Sequence, residues 1–161
     1  MQSTLQEAIE LRNAGRAEEA KAMLLELLEE DKDNPMLLYQ LAWTHDSLGL
    51  EREAVPFYEQ SLANGLPEEQ RPGALLGLGS TCRTLGEYEK SKEIFEIALR
   101  DYPAMRQFRV FYAMVLYNLG EHADAMNLLL TDLVDTTSDP GILKYQRAIR
   151  FYADKLDQVW K

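Results

Sequence analysis

The sequence predicts an all-α protein, an α-solenoid of four helical hairpins closed by a C-terminal capping helix. Three observations carry this expectation. Gly15, Gly49, Gly86 and Gly120 stand at spacings of 34, 37 and 34 residues, a period that marks stacked helix pairs. Apolar residues precede and follow each glycine at three- and four-residue steps, which places them on one helical stripe. Small residues, Ala20, Ala54, Ser91 and Ala125, recur at one place after each turn, where two helices must approach closely.

The elements follow in order. The first helix of the second copy buries Leu38, Leu41, Ala42 and His45, and that of the third buries Leu75, Leu78, Gly79 and Cys82. The second helices share one column pattern: Ala20, Leu24, Leu27 and Leu28; Ala54, Tyr58, Ser61 and Leu62; Ser91, Phe95, Ala98 and Leu99; Ala125, Leu129, Asp132 and Leu133. Each turn glycine is expected in the left-handed conformation, which costs a residue bearing a Cβ about 1 kcal/mol or more. The extra residues of the longer spacing fall between Asn64 and Pro72, a stretch rich in breakers, so a helix ends there and another starts near Pro67 or Pro72. Glu68 and Glu69 suit that positive helix start. Pro56 lies inside a helix, where it removes a bond to the Arg52 carbonyl and bends the helix rather than ending it. After a loop at 134–139, Asp139 caps a helix beginning at Pro140.

Residues 140–160 read as one long helix. Strict continuation of the repeat register would bury Gln146, Arg147 and Arg150 without partners. A shift of two residues instead places Tyr145, Ala148, Ile149, Tyr152 and Leu156 inside, so the segment is expected to seal the fourth hairpin. One domain over 1–161 is expected, with repeats at about 1–34, 35–71, 72–105 and 106–139 and the cap at 140–160.

Composition excludes several functions. The chain has 161 residues and a formal net charge of −10. Residues 1–66 hold 13 acidic and 5 basic side chains, net −8, against 14 and 12, net −2, in 67–161. Such a surface repels nucleic acid and anionic membranes. The cluster Glu26, Glu29, Glu30, Asp31 and Asp33 either attracts a basic ligand or serves as a solvated face. No apolar run approaches the roughly 20 residues that span a bilayer. The start Met1-Gln2-Ser3-Thr4 lacks the features of a signal peptide, so a cytoplasmic location is expected. Cys82 is the one cysteine and belongs to an apolar stripe, which points to packing rather than a reactive thiol. His45 and His122 have no second histidine or cysteine nearby, so neither a metal site nor a catalytic centre is expected, and no cofactor.

Leu78-Gly79, Gly86, Tyr88, Phe95, Ala98 and Pro103 of the third copy resemble the tetratricopeptide repeat family. The other copies are worn, with His45 and Ser61, Asp132, and Glu7 at pattern positions. The segments Gly49 through Val55-Pro56 to Gly65-Leu66, Leu76 to Thr81, and Arg83 to Gly86 are similar to a bacterial subgroup of small proteins of that family. The resemblance implies a right-handed solenoid and a non-enzymatic adaptor that binds a peptide or partner protein in a concave groove. The lysines and asparagines with which some members clamp a chaperone carboxylate are replaced here by Leu5, Ile9, Gln40, Gly73 and Gly77.

Such a groove lies on the inner face of the first helices. Its candidates are Arg12 and Asn13; Tyr39 and Trp43; Arg83; Met114, Tyr117 and Asn118; and Arg150 from the cap, with Ile9, Asp46, Leu76, Ser80, Val110 and Gln146 nearby in register. Aromatic rings give large contact area at low rotamer entropy, and Arg and Asn can hold carbonyls or a carboxylate. Leu143, Phe151 and Trp160 are left over. They either wrap back onto the array or form a homodimer patch.

Overall fold

A computed structural model describes residues 2–161, with side chains from Thr4 onward. Among the described residues ten helices follow one another: α1 Gln2–Asn13, α2 Ala17–Glu30, α3 Pro35–Ser47, α4 Glu51–Ala63, α5 Arg71–Thr84, α6 Tyr88–Asp101, α7 Arg106–Asn118, α8 His122–Thr136, α9 Pro140–Lys144 and α10 Gln146–Tyr152. No strand occurs among them. The chain forms two compact units, 1–94 and 95–161.

The turn glycines set the hairpins. Gly15, Gly49, Gly86 and Gly120 have φ of 81, 72, 78 and 79°, the left-handed region where a Cβ is strained. The next residue in each case donates its amide back five residues, from Arg16 to Leu11, Leu50 to His45, Glu87 to Cys82 and Glu121 to Leu116, at 2.8–2.9 Å. This closes the last turn of the first helix and satisfies carbonyls that would otherwise be orphaned. Gly65, with φ 81°, ends α4 in the same way. Asn34 caps α3 by accepting from the amides of Met36 and Leu37, and Asp139 caps α9 by accepting from Ile142. α4 runs through Pro56 unbroken, and α5 starts at Arg71, with Pro72 in its first turn.

In the first unit α1 packs on α2, α3 on α4, and α4 on α5. Ala8, Leu24, Leu37 and Leu41 form a buried cluster closed by Leu5, Met23, Leu27, Leu28 and Phe57; each fully buried leucine contributes about 1.5–3 kcal/mol. The small-residue column does what its position requires. Ala20, Ala54 and Ser91 are fully buried, and the Ser91 hydroxyl donates to the Gly79 carbonyl at 2.6 Å. Cys82 is buried, and burial pushes its thiol up to about 11, so it packs rather than reacts.

In the second unit α7 packs on α8, with Ala113, Leu116 and Ala125 at the contact. Asp132, at a pattern position, is buried at 5% exposure. It accepts from Nε of Arg109 and Nη1 of Arg106, each at 2.8 Å. Arg106 also reaches Asp135 at 3.0 Å, and Asp135 accepts from Arg150 of α10.

The C-terminal segment departs from expectation. Residues 140–160 are two short helices instead of one, broken where the Tyr145 amide bonds back only three residues, to Ile142, at 3.0 Å. This turn lays α10 on α8. The residue buried there is Ala153, while Tyr145, Ala148, Tyr152 and Leu156 are exposed and Ile149 is half-buried. The seven residues of α10 bury no side chain of their own, and Ala153 is its C-cap. The column pattern weakens correspondingly in α8: Leu129 and Leu133 are 38% and 42% exposed, whereas Leu24, Tyr58 and Phe95 at the Leu129 position are buried.

Candidate functional site

In the first unit, α1 and α3 bring three of the candidates together. Arg12 leaves the last turn of α1 and donates from Nη1 to Oε1 of Gln40 at 2.6 Å. Its Cζ lies 3.9 Å from the centroid of the Trp43 ring, a stacked cation–π geometry. Tyr39 sits 6.0 Å from Trp43, ring to ring. Arg12 and Tyr39 are both only 7% exposed, whereas Trp43 is 44% exposed. Two of the predicted residues therefore form the floor, and Trp43 is the surface they present.

Burial pulls the Arg12 pKa down, opposed by Tyr39 and Tyr58. Arginine nonetheless stays charged in proteins. Its side-chain partners are the amide of Gln40 and the Trp43 ring, and no carboxylate forms an ion pair with it among the described residues. One turn after Trp43, the half-buried Asp46 accepts from the Tyr58 hydroxyl at 2.6 Å and from the Thr81 hydroxyl at 2.9 Å. Burial raises its pKa, and those two hydroxyls partly offset the effect. An exposed indole of α3 is thus stacked on a cation from α1 that has no carboxylate partner among the described residues, and one turn on stands a carboxylate held by hydroxyls.

Tyr58 and the glycines of α5 fix this arrangement. A Cβ on Gly77 would stand 2.5 Å from Cζ of Tyr58, and one on Gly73 would strike the Tyr39 hydroxyl. The absence of side chains at 73 and 77 is what lets the two tyrosines lie against α5. Sequence reading found Tyr39, Trp43 and Arg12 but missed Gln40, Tyr58 and Thr81 as their supports. In sequence, Gln40 stands among the residues that replace a carboxylate clamp and Tyr58 in the packing column of the second helices, so neither reads as a support.

The remaining candidates fall elsewhere. Asn13 is exposed at the end of α1, and Arg83 is half-buried in α5. On α7, Met114 and Tyr117 are 38% and 65% exposed, Asn118 is half-buried, and the Tyr117 ring lies 5.0 Å from that of His122. Arg150 is engaged with Asp135. Phe151 and Trp160 approach at 6.2 Å between ring centroids, with Tyr152 at 5.5 Å from Trp160; Leu143 is exposed on α9. Among the described residues no cluster of His, Cys, Asp and Glu fits a metal ion, and no helix is long and apolar enough to cross a membrane.

The comparisons with known proteins agree with this architecture. The family model described as tetratrico peptide repeat matches residues 1–36 and 35–156. No curated protein matches the sequence. Among solved structures, MamA from Desulfovibrio magneticus RS-1, residues 41 to the end, superposes with a TM-score of 0.74 at 19% identity, over 97% of this chain and 85% of that one. YrrB, described as a TPR protein with an unusual peptide-binding site, gives 0.71 at 20% identity, over 95% and 73%. TTC0263 of Thermus thermophilus, a thermophilic TPR protein, gives 0.66 at 22%, over 97% and 84%. These likenesses establish the fold.

Proposed function

This chain belongs to the tetratricopeptide repeat family, and we propose that it is a non-enzymatic adaptor whose first unit holds a peptide or an extended segment of a partner protein across Trp43. The observation that carries this reading is the Arg12 guanidinium, buried, oriented by Gln40 and stacked on an exposed indole, with no carboxylate partner among the described residues. A charge left uncompensated in a buried place is costly, and a ligand carbonyl or carboxylate would relieve that cost. Asp46, one turn on, would accept from a ligand amide or cation, and Trp43 would cover an apolar side chain between the two. By repeat register Asn13 and Arg83 would belong to this face, and Met114, Tyr117 and Asn118 stand at corresponding repeat positions in the second unit.

The test is affinity purification of the tagged protein from its host beside the Trp43→Ala variant, followed by titration of the recovered partner. Removing a central aromatic anchor costs about 2 kcal/mol or more, roughly a thirty-fold loss of affinity. Equal affinity for the variant would remove this face from the mechanism.

A further inference from the structure

The two ends of the chain carry complementary surfaces that the peptide-binding reading leaves unused. At the C-terminal end, Phe151, Tyr152 and Trp160 are each about half exposed and touch one another edge to face or tilted, with Val159 82% exposed beside them. One cation lies over this cluster, Lys155 at 4.7 Å from Phe151 and paired with Asp154, and a second, Lys144, lies 5.6 Å over the separate ring of Tyr145. Residues 140–161 hold five basic and two acidic side chains, net +3, on a chain of net charge −10. Exposed aromatic rings grouped in a basic segment resemble the centre of an interface more than solvated surface.

At the other end, α2 turns an acidic face to solvent. Glu18, Ala22, Leu25, Glu26 and Glu29 are exposed and follow one helical stripe, with Leu25 41% exposed at its middle. Residues 17–34 hold seven acidic and two basic side chains, net −5. The carboxylates border a small apolar centre, opposite in charge to the basic C-terminal segment that carries the aromatic rings.

We propose that the C-terminal patch docks on α2 of a second copy, so that the protein associates head to tail. Such a contact joins two different surfaces, leaves one of each open at the ends, and extends as an open series unless the rotation closes. Opposite charge supplies orientation and speed of encounter, and the rings against Leu25 and Ala22 supply buried area. Anionic lipid is the poorer occupant, since the remainder of the chain is acidic and would be repelled from such a surface.

Sedimentation velocity across a concentration series tests this with two variants, both altered only at exposed positions and both checked for helicity. Glu26→Arg with Glu29→Arg removes the acidic face; Phe151→Ala with Trp160→Ala removes the aromatic patch. Wild type is expected to form a concentration-dependent series weakened at least ten-fold by raising salt from about 0.05 to about 0.5 M, on the order expected for a contact steered by several charges. Each variant alone is expected to remain a monomer, and their equimolar mixture to give a single 1:1 pair, because each retains the surface the other lacks. A monomeric wild type at low salt would overturn the proposal. So would a dimer that survives the α2 substitutions and is lost with the aromatic ones, which marks a symmetric contact. Binding to phosphatidylserine vesicles without self-association would overturn it as well.

Discussion

The first unit, residues 1–94, and the second, residues 95–161, are built from the same hairpin and treat polar groups in opposite ways. In the first, the buried Arg12 and the half-buried Asp46 meet neutral partners: Arg12 finds Gln40, and Asp46 finds the hydroxyls of Tyr58 and Thr81. In the second, Asp132 and Asp135 meet guanidinium groups from α7 and α10. Apolar residues differ likewise. Leu24 is fully buried, whereas Leu129, at the same place in the repeat, is 38% exposed. A repeat position is therefore a place in a pattern, and its energy depends on whether another hairpin covers it.

The largest expected effect breaks the pattern directly. Leu24→Ala should lower stability by about 3 kcal/mol and Leu129→Ala by under about 1 kcal/mol in chemical denaturation, since only the first leaves a cavity. Similar values for the two would mean that Leu129 is covered in solution. Next, Gly77→Ala should cost about 2 kcal/mol, because the added methyl meets the Tyr58 ring, which Asp46 holds in place. A neutral result would show that Tyr58 moves aside.

The join between α7 and α8 gives a smaller effect. Asp132→Ala should cost about 1–2 kcal/mol, the loss being tempered because Arg106 is nearly half exposed. The smallest effect concerns pH. Asp46 has a raised pKa when folded, from burial first, so folding gains as pH falls through its range and loses that gain above it. Asp135 is held low, by Arg150 first and Arg106 second, so its contribution is present above the unfolded carboxylate range near about 4 and disappears as pH falls through its folded value. Asp46→Asn should keep both hydroxyl contacts, change stability at pH 7 by less than about 1 kcal/mol, and flatten the mildly acidic side of the profile. Asp135→Asn should flatten the strongly acidic side. Thermal unfolding between pH 3 and 8 separates the two.

The hairpins were legible because their determinants are local or nearly so. Only glycine takes φ near +80° without strain, so Gly15, Gly49, Gly86 and Gly120 announce turns, and Asp139 before Pro140 announces a cap. Ala20, Ala54 and Ser91 betray close helix approach because nothing larger fits. The site was legible only in part. Trp43, Tyr39 and Arg12 follow from the helical face, but Arg12 and Gln40 are 28 residues apart, and their pairing depends on the register between α1 and α3. Asp132 looked like wear for the same reason: its arginines lie on another helix. The terminal segment was misread because a periodic pattern assumes a partner, and the short α9 and α10 do not continue the hairpin.

The most direct measurement places a photo-crosslinking amino acid at position 43 and, as a control, at the exposed position 53 of α4, in the full chain expressed in its host. An adaptor working through the α1–α3 face predicts a protein adduct from position 43 that is absent from position 53 and diminished by Asp46→Ala. Equal adducts from both positions, or an adduct from 53 alone, would contradict it.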